Sequence, residues 1–235
     1  MAPSIHPRYA FEYADPVGSQ NVGLERARGR RAHGGNVDSK KTALLLIGFQ
    51  NDYFAEDGIL RGVIEESAKT NRVLENTLNL IESLKGTDVK IYETPILFTQ
   101  DYGETNNPVG LIKTIVEVKA FQEGSLGSNT IPEIEAFGDR IVRVPGKDGF
   151  NAFSNTGLGR RFEEDGIENV VIAGTVTSIC IDSTGRSAHE RGYSVTVLSD
   201  CTCGRNDFEQ NFYCENILPL YAEVTHSGDM LRALR

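Results

Sequence analysis

From Lys41 onward, short continuous apolar runs alternate with longer stretches of helical period, and no other feature constrains the fold as strongly. "TALLLIGF" carries an unbroken apolar run, as expected of a strand covered on both faces. "IEESAKTNRVLENTLNLIESLKG" reads as one helix, with Val73, Leu74, Leu78, Ile81 and Leu84 on one face and Gly86 as its C-cap. "VKIYETPILFT" is a second strand broken by Pro95, and "RIVRVPG" is a third. A helix at "GLGRRFEEDGI" leads to the strand "NVVIAG", then a helix across "SICIDSTGRSAHERG" and the strand "YSVTVLSD". A helix around "DFEQNFYCENIL" and a short strand at "YAEVTH" complete the pattern. The pattern predicts an α/β domain with a doubly wound, mainly parallel sheet and right-handed crossovers. The segment from Gly103 to Glu135 shows no clear period and reads as an excursion able to shape a pocket.

Composition narrows the partners. The 235 residues suffice for one sizeable domain, expected over 41–235, behind an N-terminal arm over 1–40 rich in Gly, Arg and turn residues. Tyr9, Phe11 and Tyr13 give that arm aromatic anchors for a neighbouring subunit, although a flexible tail is the plain alternative. A net charge of −9 disfavours nucleic acid and anionic membranes as partners. No apolar run approaches the ~18 residues that span a bilayer. The N-terminal stretch also lacks the apolar core of a secretory signal, so a cytoplasmic location is expected. The four cysteines, Cys180, Cys201, Cys203 and Cys214, are too clustered for a disulfide framework and read as reduced. Neither they nor the four scattered histidines have ligand spacing, so no metal is expected.

In a doubly wound sheet, ligands bind beyond the C-terminal ends of the strands. Three such exits carry candidate chemistry here: "GFQNDYF", "PGKDGFNAF" and "AGTVTSICIDSTGRSAHERGY". Cys180 falls near the start of a helix, where free N–H groups and the helix dipole favour a thiolate. A buried, inert cysteine is the competing reading. Lys147 lies at a glycine-flanked strand exit, either as a surface lysine or as a cation within reach of Cys180, where it would lower the thiol pKa.

These three segments resemble the motifs of the isochorismatase-like cysteine hydrolases, from about Thr42 to the C-terminus. The resemblance implies a three-layer α/β fold with a six-stranded parallel sheet, assembled as a homodimer or homotetramer. It also implies hydrolysis of a non-peptide C–N bond in a small amide, carbamoyl or ureide compound through an acyl-enzyme, without a cofactor. Cys180 would be the nucleophile and Lys147 the cationic member of the triad. A non-proline cis peptide just before Val176 would turn the N–H groups of Val176 and Cys180 toward the oxyanion. Phe54, Gln100, Tyr102 and Phe153 would line the substrate pocket.

One departure stands out. The family motif of type V-D-x-Q-N-D-F ends its first strand in a triad aspartate, and this chain has Gly48 there. Gln50, Asn51 and Asp52 match the motif, with Asp52 placed to cap backbone N–H groups. Loss of a general base typically costs ~10²–10⁴ in rate, so the expected activity is impaired at Gly48. The alternative is a binding protein that keeps the pocket without turnover. Isochorismate itself and the metal-dependent nicotinamidase pattern are both disfavoured. The latter needs a histidine that "PILFTQDYGE" lacks.

Overall fold

The structure, a computed structural model, describes residues 37–146 and 148–234. Lys147 and nearly all of the N-terminal arm, with Tyr9, Phe11 and Tyr13, lie outside the described residues. Six strands form one sheet: β1 (Thr42–Ile47), β2 (Lys90–Thr94), β3 (Ile141–Arg143), β4 (Asn169–Thr175), β5 (Ser194–Cys203) and β6 (Glu223–Thr225). Their order is β3-β2-β1-β4-β5-β6 and every pairing is parallel. The expected doubly wound α/β sheet is therefore present, with all of its strands parallel rather than most of them.

Each strand sits where its composition dictates. All six residues of β1 are buried, because both flanking strands and both helix layers cover it. The edge strands β3 and β6 are short and only partly covered, which blunts the unpaired edges. The chain winds outward through β2 and β3, returns to place β4 beside β1, and winds the other way through β5 and β6. The order thus reverses between β1 and β4. At such a point the loops leaving two adjacent strands diverge and open a crevice.

The helical layers differ from the sequence reading in two places. The long helix expected before β2 is two helices, α2 (Arg61–Thr70) and α3 (Val73–Ser83), separated by Arg72 in the left-handed region (φ 51°). Tertiary hydrogen bonds override the continuous period. The Asn76 amide donates to the carbonyls of Asn71 and Asp200, both at 2.9 Å, and so fixes the break against the end of β5. The excursion from Gly103 to Glu135 contains α4 (Gly110–Val118) and α5 (Pro132–Glu135). The other helices are α1 (Asn51–Phe54), α6 (Leu158–Glu164), α7 (Asp182–Glu190), α8 (Asp207–Phe212) and α9 (Ser227–Ala233). The domain also reaches back before Lys41. The Val37 N–H donates to the Ala233 carbonyl at 2.9 Å, joining the chain's first described residue to α9.

Candidate active site

The β1 exit is built around Gly48, whose φ of +76° is a conformation that L residues rarely adopt. A Cβ at this position would stand 2.8 Å from the Thr175 carbonyl oxygen and 3.1 Å from its Cγ2. The present turn therefore holds no side chain at position 48. Gly174 is tighter still, with a hypothetical Cβ 1.8 Å from the Ile47 oxygen. Two glycines thus let the ends of β1 and β4 touch at the switch point.

The three polar residues after Gly48 work as clamps. Gln50 is fully buried; its amide donates to the carbonyls of Ile96 (2.8 Å) and Ser128 (2.7 Å), and its oxygen accepts from the Ile96 N–H (2.8 Å). Asn51 donates to the Leu126 carbonyl at 2.9 Å. Asp52 accepts from the Phe121 N–H at 2.6 Å, and Gly127 packs so closely on its carboxylate that no Cβ would fit there. Burial pushes the Asp52 carboxyl above the usual range, with the Phe121 N–H opposing. Asp52 does cap a backbone N–H, as expected, but a distant one. The loop "AFQEGSLG" is thereby tied to the β1 exit.

The β4 exit carries the nucleophile candidate. The Thr175–Val176 peptide is cis, at the place the resemblance implies. A π-helical turn, Thr177–Ile181, follows and runs into α7. The N–H groups of Ile179 and Ile181 both donate to the Val176 carbonyl, at 3.0 and 3.2 Å. Cys180 lies in this turn and is 1% exposed. Helix α8 braces the turn from the side. The Thr177 hydroxyl donates to Gln210 Oε1 and the Ser178 hydroxyl to Glu209 Oε1, each at 2.6 Å. Gln210 in turn donates to the Ser199 carbonyl and Thr202 Oγ1, both at 3.2 Å, and Glu209 receives the Arg205 guanidinium at 2.6 Å. The segment of "GKDGFNAF" that is described is held on α7 as well. The Thr184 hydroxyl accepts from the Ala152 N–H at 3.0 Å, one turn beyond Cys180.

The four cysteines form no disulfide with one another. Burial pushes Cys201, Cys203 and Cys214 each up to about 12, so all three stay protonated thiols at neutral pH. Tyr53, one residue before Phe54 in α1, packs its ring on Phe121 with centroids 5.1 Å apart. Its ring is 1% exposed, and its hydroxyl has no hydrogen-bond partner. Burial first, and then the negative charges available to Cys180, Cys203 and Asp52, hold its phenol well above the ordinary range.

The expected pocket residues are placed as follows. Phe54 is half-buried and stacks on Phe49 with centroids 5.2 Å apart. Gln100 is exposed, and its carbonyl accepts from the Gln122 amide at 2.7 Å. Tyr102 is buried and donates to the Ala120 carbonyl at 2.7 Å. Phe153 is buried against Phe162 and Tyr193, with the Arg191 guanidinium 5.0 Å over its ring. Tyr102 and Phe153 are thus anchored in the core around the site. Arg160 is solvated and pairs with Glu164 at 3.7 Å.

A cavity of about 180 Å³ opens beyond β2 and β3, lined in part by Pro95, Leu97, Ser128, Thr130 and Arg143. Beside it Glu93, 2% exposed, accepts from Thr130 and, at 3.1 Å, from Arg143. Burial raises the Glu93 carboxyl, while Thr130 and Arg143 counteract it. Neither Gly48 nor Cys180 lines this cavity. Among the described residues, no three His, Cys, Asp or Glu side chains are grouped to hold a metal ion, and no helix is long and apolar enough to cross a membrane.

Fold and turn together describe a doubly wound α/β protein with a buried thiol at its topological switch point. The Isochorismatase domain family matches residues 42–229, and the chain belongs to that family. Nicotinamidase 3 of Arabidopsis thaliana is 25% identical over 170 residues, covering 72% of this chain and 77% of that protein. A ureidoacrylate amidohydrolase of Methylorubrum extorquens is 24% identical over 202 residues, covering 81% and 79%. Among solved structures, a cysteine hydrolase from Pseudomonas syringae pv. phaseolicola superposes with a TM-score of 0.72 at 19% identity, over 84% of this chain and 94% of that one. An N-carbamoylsarcosine amidase from Thermoplasma acidophilum gives a TM-score of 0.61 at 18% identity, over 80% and 96%. The two solved structures bear on the fold alone.

Proposed function

We propose that the chain is a cysteine hydrolase that cleaves a non-peptide C–N bond of a small amide, carbamoyl or ureide compound. The observation that carries this reading is the braced turn at the switch point. Cys180 is held there by Thr177, Ser178, Glu209 and Gln210, in a family whose named relatives include amidohydrolases. Cys180 Sγ attacks the carbonyl carbon, and the N–H groups of Val176 and Cys180 receive the oxyanion. Collapse of the tetrahedral intermediate expels ammonia or an amine and leaves a thioester, which water hydrolyses. Lys147 supplies the positive charge that favours thiolate character as attack proceeds. Phe54 and Gln100 are the two expected pocket residues with exposed surface to offer a substrate. The chemistry needs no cofactor. The enzyme works as a homodimer or homotetramer, in the cytoplasm.

Gly48 supports an impaired or rerouted proton transfer, because position 48 offers no carboxylate to move the thiol proton. The same observation supports the second reading, a ligand-binding protein of this fold without turnover. Ammonia release from nicotinamide, ureidoacrylate, N-carbamoylsarcosine, biuret and maleamate separates the two. The comparison should include Gly48→Asp, with its folding checked, since the turn must be rebuilt to admit a Cβ. Turnover by this chain supports the hydrolase, and turnover by Gly48→Asp alone makes Gly48 the lesion and favours the second reading for this chain. Binding of one compound without turnover by either favours the second reading.

A further inference from the structure

Helix α8 is turned inside out. Its buried residues are Glu209 and Gln210, which hold the nucleophile turn, whereas Phe208 and Phe212 are 79% and 44% exposed. A surface helix ordinarily keeps its apolar side inward. The two rings stack with centroids 6.1 Å apart, so they form one apolar platform rather than two scattered side chains. The helical run continues past α8 through Tyr213–Ile217 and Leu218–Leu220. Four-residue steps along it lead from Phe212 to Asn216 and then to Leu220, which is 70% exposed. The Asn216 amide donates to the Phe212 carbonyl at 3.1 Å and adds no charge. The stripe is therefore aromatic and uncharged at its centre, which is the composition of an interface core.

The flanking charges indicate what covers it. Arg205 stands three residues before Phe208 and Glu215 three residues after Phe212, and both are exposed. Opposite charges at equal offsets from one midpoint are self-complementary, because a two-fold axis through that midpoint brings each onto the other. The same axis sets Phe208 of one copy against Phe212 of the other. Arg205 Nε binds Glu209 at 2.6 Å, which orients the guanidinium while 60% of the side chain stays exposed. With a net charge of −9 and one arginine on the stripe, an anionic lipid surface is a poorer match.

We propose that a second copy of this chain packs on the Phe208–Phe212 stripe about a two-fold axis between those rings, pressing α8 onto the turn that carries Cys180. The proposal rests on the homo-oligomeric hydrolase reading above and adds the surface and its consequence. The outer side of α8 is closed by the second copy, and its inner side carries the braces to Thr177 and Ser178. Assembly thereby steadies the nucleophile turn.

The test is sedimentation of the full chain, comparing the wild type with Phe208→Ser/Phe212→Ser and, separately, with Glu215→Arg. Circular dichroism checks that each variant is folded. The wild type is expected to sediment as a dimer or larger assembly and the double variant as half of it. The dissociation constant should rise at least about 10²-fold, because each ring is lost twice across a two-fold contact. Glu215→Arg sets like charges against Arg205 of the second copy and should raise it about 10-fold. Amide exchange at 177–181 should quicken in the dissociated variant and match that of wild type diluted below its dissociation constant. Unchanged assembly in either variant would overturn the interface and leave the oligomeric reading standing. A wild type that stays monomeric would overturn both. Equal exchange at 177–181 in assembled and dissociated protein would overturn the link to Cys180. Turnover of the amide panel judges the hydrolase reading separately.

Discussion

The exits of β1 and β4 lie side by side at the centre of the sheet and are held by the same device, side chains that hydrogen-bond across the chain. What they hold differs. At the β1 exit, Gln50, Asn51 and Asp52 fasten the 120–130 loop and the turn itself presents only Gly48. At the β4 exit, Gln210 and Glu209 fasten Thr177 and Ser178, and the turn presents Cys180. Scaffold polarity and chemical function are therefore separable. The β1 exit keeps its clamp, and position 48 carries no reactive group.

The comparison can be broken most violently at the contact between the two exits. Gly174→Ala drives a Cβ to within 1.8 Å of the Ile47 oxygen, and neither strand can yield because both are central. A loss of at least about 4–5 kcal/mol is expected, read as failure to recover folded protein or as a collapse of the urea midpoint. A near-neutral result would mean that the exits do not touch as described.

Gln50→Ala attacks the β1 clamp alone. It strands the buried N–H and carbonyl of Ile96 and the carbonyl of Ser128, and about 3 kcal/mol of destabilisation is expected. Amide exchange should accelerate through 120–130 and leave 177–181 protected. Equal acceleration at both exits would show that they are one cooperative unit.

Tyr53→Phe sharpens the comparison with a smaller effect of opposite sign. Removing an unpartnered buried hydroxyl should stabilise the fold by about 1 kcal/mol, which for a domain of this size raises Tm by roughly 2–4 °C. A lower Tm would mean that the hydroxyl is bonded in the resting protein.

The pH dependence is the subtlest measure. Asp52 and Glu93 are both raised above their ordinary values of 3.8 and 4.5, so the folded state binds these protons more tightly than the unfolded chain. Their stabilising contribution is complete below the ordinary values and is lost as pH rises through the raised folded-state values. Mild acidification from neutrality toward those values is therefore expected to increase stability. Asp52→Asn and Glu93→Gln should each flatten that rise in a pH series of urea midpoints.

Much of this architecture is legible in the residues. Continuous apolar runs mark the central strands, and the polar clusters that follow them mark the exits. The long helix was misread at Arg72 because its break is made by Asn76 reaching the carbonyl of Asp200, a contact between distant parts of the chain. Tyr102 and Phe153 read as pocket aromatics in a string of letters, and their partners are not legible there: Tyr102 donates to the Ala120 carbonyl and Phe153 packs in an aromatic cluster. Glu93 escaped notice because a carboxylate in a strand reads as solvent-facing unless its partners Thr130 and Arg143 are known. Tyr53 was hidden by Phe54, which is just as aromatic and one residue away.

The most direct test of the central claim is to trap the covalent intermediate. The protein would be mixed with ureidoacrylate, N-carbamoylsarcosine and nicotinamide in turn, quenched in acid within one turnover, and peptide-mapped by mass spectrometry. A mass increment on the peptide carrying Cys180, matched to the acyl part of one compound and absent in Cys180→Ala, is the predicted result. Ammonia released by Cys180→Ala at the wild-type rate would contradict the account.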